Sequence, residues 1–211
     1  MTPPGVTSRA VRDAALVAGT GILAMAPLAV FANFGVLENL VTEDDAARTA
    51  QDIRGSEALF RFGAVALFLV AVLDVVVAWA LRVFFQPAHE GIATLAAWFR
   101  LAYAAVLLVA VTQLVGALPP AKDAESLGAY SAEQLDAEAL RRVDAFHDIW
   151  DAGLIFFGVH LLLLGFLAFR SGYVPRVLGV LLALAGLGYL VEASAPSSPP
   201  GTRPRHPCSP A

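Results

Sequence analysis

Uncharged, mostly apolar runs as long as a bilayer is thick alternate along this chain with charged connectors. A hydrocarbon core takes about 20 residues of helix. Four runs meet that length: 14–34, 62–82, 91–118 and 149–169. The second is interrupted only by Asp74 before it ends on Arg82, the third only by Arg100, and the fourth passes Asp151 near its start. A fifth uncharged stretch, 177–191, extends to a span over 174–193. The pattern predicts an all-α, multi-pass transmembrane bundle over 14–193, with residues 1–13 before it and a tail over 194–211. Arg9 and Arg12, followed by Ala24-Met25-Ala26, resemble a cleaved leader with a small-residue site. The apolar run continues past that point to Phe34, so it reads as a span.

The connectors differ in kind. Residues 1–13, 82–90 and 170–176 carry Arg9, Arg12, Arg82, Arg170 and Arg176 in 29 residues. Residues 35–61 and 119–148 carry six Lys and Arg in 57 residues, with thirteen acids. Orientation follows the density of Lys and Arg, which places the short connectors and the N-terminus on the cytoplasmic side. Two helix starts stand in the long connectors. Thr42-Glu43-Asp44-Asp45 reads as one, with Thr42 as N-cap. Ser131-Ala132-Glu133-Gln134 reads as a capping box. Behind it, Leu135, Ala139, Leu140, Val143 and Phe146 recur at helical spacing, which predicts an amphipathic helix over the outer mouth of the bundle. A solvated acidic loop is the alternative. The tail SAPSSPPGTRPRHPCSPA holds six of thirteen prolines and reads as extended and disordered, with Cys208 alone in it.

Composition removes whole classes of function. Hydrophobic residues are 58% of the 211, charged residues 15%, and mean hydropathy is +0.68. A soluble domain of this size cannot hide that much apolar surface. A net charge of −4 argues against nucleic acid as a partner. The bilayer is the expected partner, with a second copy or another membrane protein left open. There is no P-loop, G-x-S-x-G, H-E-x-x-H, C-x-x-C or dinucleotide fingerprint, and no inverted pair of broken helices. No cofactor and no metal are expected.

Ionisable groups at membrane depth cost roughly 2.5–3.5 kcal/mol each on insertion scales, so each needs a reason. Asp74, Arg100 and His160 stand eight to ten residues from Arg82, Glu90 and Arg170, hence about 12–15 Å from the inner end. The three form a candidate intramembrane polar cluster: an Asp74–Arg100 pair offsets two desolvation penalties, and His160 accepts or passes a proton. In the alternative, Arg100 is an interfacial snorkeller beside Trp98, Phe99 and Tyr103, and His160 merely hydrogen-bonds a neighbouring helix. Nearer the outer face, His147, Asp148 and Asp151 form a second candidate group. His147 and Asp151 share a helix face at i, i+4 as half of a metal site would; an acid-rich helix start is the plainer account. Gln113 and Glu192 face the same half. Asp151, Gly158 and Gly165 form one stripe, and Gly179, Ala183 and Gly186 another; such stripes let helices approach closely and predict a tight hairpin of the last two spans.

The stretch FFGVHLLLLGFLAFRSGYVPRVLGVLLALAGLGYL, residues 156–190, resembles the uncharacterised bacterial integral membrane family called domain of unknown function 4386. DIRGSEALFRFG at 52–63 and AWFRLAYA at 97–104 resemble the family's approach to its second span and its third span. The resemblance implies an inner-membrane bundle, usually of six helices, with no established activity, cofactor or catalytic residue. A five-span variant or a reading frame lost near residue 194 would account for the Pro-rich tail in place of a sixth span. Two functional classes follow. The first is a non-enzymatic bundle (small transporter, channel or accessory subunit) using Asp74, Arg100 and His160. The second is a small intramembrane enzyme acting on a lipid or other apolar substrate through His147, Asp148 and Asp151.

Overall fold

The computed structural model describes residues 8–42, 45–118 and 131–194, and these form six helices with no strand among them. Helix α1 runs over Ser8–Val30 and continues without a break through a π-helical segment, Phe31–Leu37, into Glu38–Leu40. Helix α2, Ala46–Gly55, is short and polar. Helices α3, Glu57–Phe85, and α4, Glu90–Ala117, are long and apolar. Helix α5 covers forty residues, Ala132–Ser171, and α6 covers Arg176–Ser194. All except α2 are long and apolar enough to cross a membrane, five in number. The tail, with Cys208, lies outside the described residues.

The ends of these helices are chemically specified. Asp45, not Thr42, caps α2: its carboxylate accepts the Arg48 N–H at 2.9 Å. Thr42 instead trades two hydrogen bonds with Thr49, its N–H donating to Thr49 Oγ1 and its carbonyl accepting from the hydroxyl. His89 caps α4, its Nδ1 accepting from the Ile92 N–H. Ser131 and Gln134 close the capping box at the start of α5. Gly172 ends that helix at φ 73°, a left-handed conformation that glycine adopts without steric cost.

One expectation is modified. The amphipathic stretch after Ser131 is not a separate helix across the mouth but the first half of α5. No proline interrupts 132–171, so the backbone hydrogen-bond ladder runs on from the polar half into the span. At 1.5 Å per residue α5 is about 60 Å long, twice a bilayer core. Its projecting half packs on α2. Arg54 of α2 donates to Asp136 of α5 at 2.7 Å.

The helices pack in the series α1, α3, α4, α5, α6, each spanning helix against the next. Small residues set the spacing. Along α4, Ala93, Ala96, Ala97, Ala104 and Ala110 are all buried, which lets neighbouring backbones come close. Between α5 and α6 the approach is closer still. A Cβ on Gly165 would lie 2.7 Å from the Gly179 carbonyl oxygen, and one on Gly186 2.7 Å from that of Gly158. The core has two apolar clusters. The outer one gathers Val36, Phe60, Leu67, Leu107, Leu114, Val143 and Phe146 among others. The inner one holds Phe85, Ala93, Ala96, Leu164, Leu167 and Ala168.

Candidate functional site

Between those two clusters lies a polar layer. Asp74 follows Val70 and Ala71 of the outer cluster along α3 and precedes Phe85 of the inner one. Arg100 lies between Ala96 and Tyr103 on α4, and His160 between Phe157 and Leu164 on α5. Three successive helices of the series thus each supply one polar group at the same level. The groups are enclosed, with relative exposures of 0% for Asp74, 5% for Arg100 and 0% for His160.

Arg100 is the hub. Its Nη2 lies 2.6 Å from Asp74 Oδ1, an ion pair out of alignment for a hydrogen bond. Its Nη1 donates to His160 Nε2 at 3.2 Å, and its guanidinium lies 5.6 Å from the centroid of the Phe157 ring. His160 Nδ1 faces the Ala96 carbonyl oxygen at 2.8 Å. A carbonyl only accepts, so Nδ1 carries the hydrogen and the Nε2 lone pair is left for Arg100. Both ring nitrogens are therefore used, in one tautomer of the neutral ring. Neither oxygen of Asp74 nor Arg100 Nε meets a hydrogen-bond partner among the described residues, and of the two oxygens only Oδ1 has the ion pair.

A buried charge in an apolar medium is strongly unfavourable unless it is paired and its remaining lone pairs and protons are satisfied. This layer pairs its charges but leaves two acceptors and one donor without a hydrogen bond.

The geometry decides among the alternatives for Arg100. It does not snorkel beside Trp98; its side chain turns into the bundle, while Trp98 stays exposed. Tyr103 is also buried and accepts a hydrogen bond from Trp150 Nε1 at 3.2 Å. Sequence reasoning missed three neighbours of the layer: the Phe157 ring, the Ala96 carbonyl, and Met25 of α1, whose Sδ lies 4.0 Å from Arg100 Nη2. Apolar side chains and main-chain oxygens carry no signature in a search for charges, and only the shared depth of Met25 and Arg100 points to their contact.

The outer group is arranged differently. His147, Asp148 and Asp151 are all exposed. The His147 ring directs Nδ1 at the Val143 carbonyl of its own helix, 3.0 Å away, and stands edge-on to Phe146. No cluster of three metal-ligating side chains occurs among the described residues. Gln113 accepts from Arg142 at 3.2 Å. Glu138 holds both Arg141 and Arg142, and these hydrogen bonds lower its pKa below the ordinary carboxylate value. Glu192 is exposed on α6.

Comparison with known proteins adds kinship without chemistry. A family described as Domain of unknown function (DUF4386) matches residues 17–203. An uncharacterized protein of Archaeoglobus fulgidus is 34% identical over 131 residues, covering 62% of this chain and 65% of the relative. The match therefore spans just under two thirds of that relative's length. No solved structure matches.

Proposed function

Because the chain belongs to the family described as Domain of unknown function (DUF4386), which brings no activity with it, we propose a function from the buried polar layer: a small, non-enzymatic membrane bundle, of transporter type, in which Asp74 takes up and releases a proton against the Arg100 guanidinium, which His160 holds in place. The single observation that carries this reading is the carboxylate of Asp74, fully enclosed between apolar clusters with Oδ2 unpartnered. Ionisable residues held at such depth mark ion or proton pathways more often than scaffolding.

The chemistry is simple. A proton arriving on Oδ2 neutralises the carboxylate, and Arg100 loses its counter-ion. The guanidinium is then held by His160 Nε2, the face of Phe157 and the Met25 sulfur, so the α3–α4 contact weakens while the α4–α5 contact persists. Loss of the proton restores the pair. One bound proton thus shifts the balance between two helix interfaces, which is the element a coupled transporter requires. The bilayer is the medium of this reading, with the N-terminus and short connectors placed on the cytoplasmic side of a bacterial inner membrane.

Purified full-length protein in liposomes under a pH gradient, with a pH-sensitive dye inside, tests it. The expected result is proton flux that is abolished in Asp74→Asn and retained in Asp74→Glu, with both variants matching the parent in helix content. Flux unaltered by Asp74→Asn overturns the relay. A metal that co-purifies and is lost in Asp151→Ala would turn the reading toward an enzyme at the outer interface.

A further inference from the structure

We propose that the inner half of α1 is a hinged cover over the Asp74–Arg100–His160 layer, swinging about residues 27–37 to open that layer from the side of the short connectors. The proposal rests on the proton-relay reading of the site and supplies what the enclosed layer lacks, a way in.

The two halves of α1 are held differently. The outer half is sunk in the core, with Ala32, Val36, Leu37 and Leu40 all buried. The inner half has three buried residues, Ala14, Ala18 and Gly21, all small and all on one stripe, while Leu16 and Leu23 point away from the protein. Among the described residues, the main packing partner of α1 is α3, with Met25 reaching Arg100 of α4. The inner half therefore rests on a thin seam of small side chains, and burial of small side chains contributes little free energy.

The seam leads to the polar layer. Met25 continues the stripe of Ala14, Ala18 and Gly21, and its sulfur contacts the Arg100 guanidinium. No other α1 side chain contacts the triad through a hydrogen bond, ion pair or ring stacking among the described residues.

Between the halves the helix is built to bend. Pro27 has no N–H to give to the Leu23 carbonyl, so one rung of the ladder is missing where the cover begins. From Phe31 to Leu37 the winding is π-helical, and the Glu38 N–H reaches back five residues to the Asn33 carbonyl. Seven consecutive π-helical residues are uncommon, and such winding recurs at functional sites. Carbonyls in and just before this irregular stretch accept from side chains. Asn33 Nδ2 donates to the Ala29 carbonyl at 2.9 Å, and Asn39 Nδ2 to that of Phe34 at 2.7 Å. Satisfied in this way, the joint changes angle without stranding polar backbone in lipid.

At the seam, Gly21 meets Val77 so closely that a Cβ on Gly21 would lie 2.6 Å from Val77 Cγ2. That contact gives a handle on the cover. The test uses full-length protein in liposomes, with the chain's one cysteine removed by Cys208→Ser. Met25→Cys is added, and its reaction with N-ethylmaleimide is timed. Leu107→Cys, in the buried core of α4, is the reference. Gly21→Val is expected to wedge the cover open and speed labelling at position 25 about tenfold, and Val77→Ala to reverse it. Pro27→Ala, which restores the missing rung, is expected to slow it. Labelling at position 25 that ignores Pro27→Ala, or that rises in step with position 107, overturns the hinge. Labelling does not need proton flux. A responsive position 25 in protein without Asp74-dependent flux upholds the hinge and overturns the relay, and the reverse result does the opposite.

Discussion

At the scale of single residues, Asp74 and Arg100 carry opposite consequences for stability and for function. Removing one member of a buried pair strands the other charge, and such changes cost about 3–5 kcal/mol. Asp74→Ala is therefore expected to lower the thermal midpoint in detergent sharply, because Arg100 keeps no anionic partner, only His160, the Phe157 ring and the Met25 sulfur. Replacing both, as Asp74→Leu with Arg100→Met, leaves no charge behind, and pairs exchanged in this way are often neutral or stabilising by about 1–4 kcal/mol. The double variant should unfold at or above the parent temperature while proton flux disappears. A double variant as unstable as Asp74→Ala would show that the pair holds the helices together and would remove the reason to assign it a function. The depth of these residues was legible in the sequence, since charges stand out against uncharged runs and 1.5 Å per residue converts position to level. The direction in which Arg100 turns was not. Its neighbours Trp98, Phe99 and Tyr103 fit an interfacial belt as well as a core, and only the packing of α3 against α4 decides.

At the scale of elements, the α5–α6 hairpin and the projecting half of α5 behave in opposite ways. The hairpin is held by backbone proximity at Gly165 and Gly179 and at Gly158 and Gly186, where an added Cβ meets main-chain atoms that cannot turn aside. Gly165→Val should cost about 1–3 kcal/mol by overpacking and free α6 from α5, seen as faster cleavage of the Gly172 turn by added protease. Gly188→Ala is the control, because nothing lies within 4 Å of its Cβ position. There a gain of about 0.5–1 kcal/mol in helix propensity is expected instead. Equal effects at the two positions would mean that helix propensity, not the close approach, governs the hairpin. This feature was readable from spacing alone, as glycines seven apart place gaps on one face. The length of α5 was not, because amphipathic and uniformly apolar patterns look like separate elements even when nothing breaks the backbone between them.

The projecting half of α5 depends on exposed charge. Glu138 has its pKa lowered by the guanidinium groups of Arg142 and Arg141, so its contribution is complete above the ordinary carboxylate range. It is lost as pH falls through the lowered folded value. Amide exchange over residues 132–145 should accelerate at acid pH and again at high salt, which screens exposed pairs. Glu138→Gln should remove the part of the pH response that belongs to this pair. Residues 158–168, inside the bundle, should show no change. Identical pH profiles in the two segments would place the titrating group elsewhere.

At the scale of the whole molecule, five candidate spans in series place Ser8 and Ser194 on opposite sides of a bilayer and give the bundle a polarity. The short connectors carry five arginines in 29 residues, and the long ones six Lys and Arg in 57. Because insertion follows Lys and Arg rather than net charge, the denser set is expected on the cytoplasmic side. Helix α5 projects about 30 Å beyond its span, with Glu138, Arg141 and Arg142 along it and α2 bound to it through Arg54 and Asp136. That polar outgrowth must lie entirely on one side, the side of the long connectors. A fluorescent reporter joined within 86–89 is expected to mature, being cytoplasmic, whereas the same reporter placed next to Ser131 is expected to stay dark and alkaline phosphatase there to be active. The opposite pattern would invert the bundle. The cover of α1 would then open the Asp74 layer to the outside, and the proton would be taken up from the medium instead of from the cell.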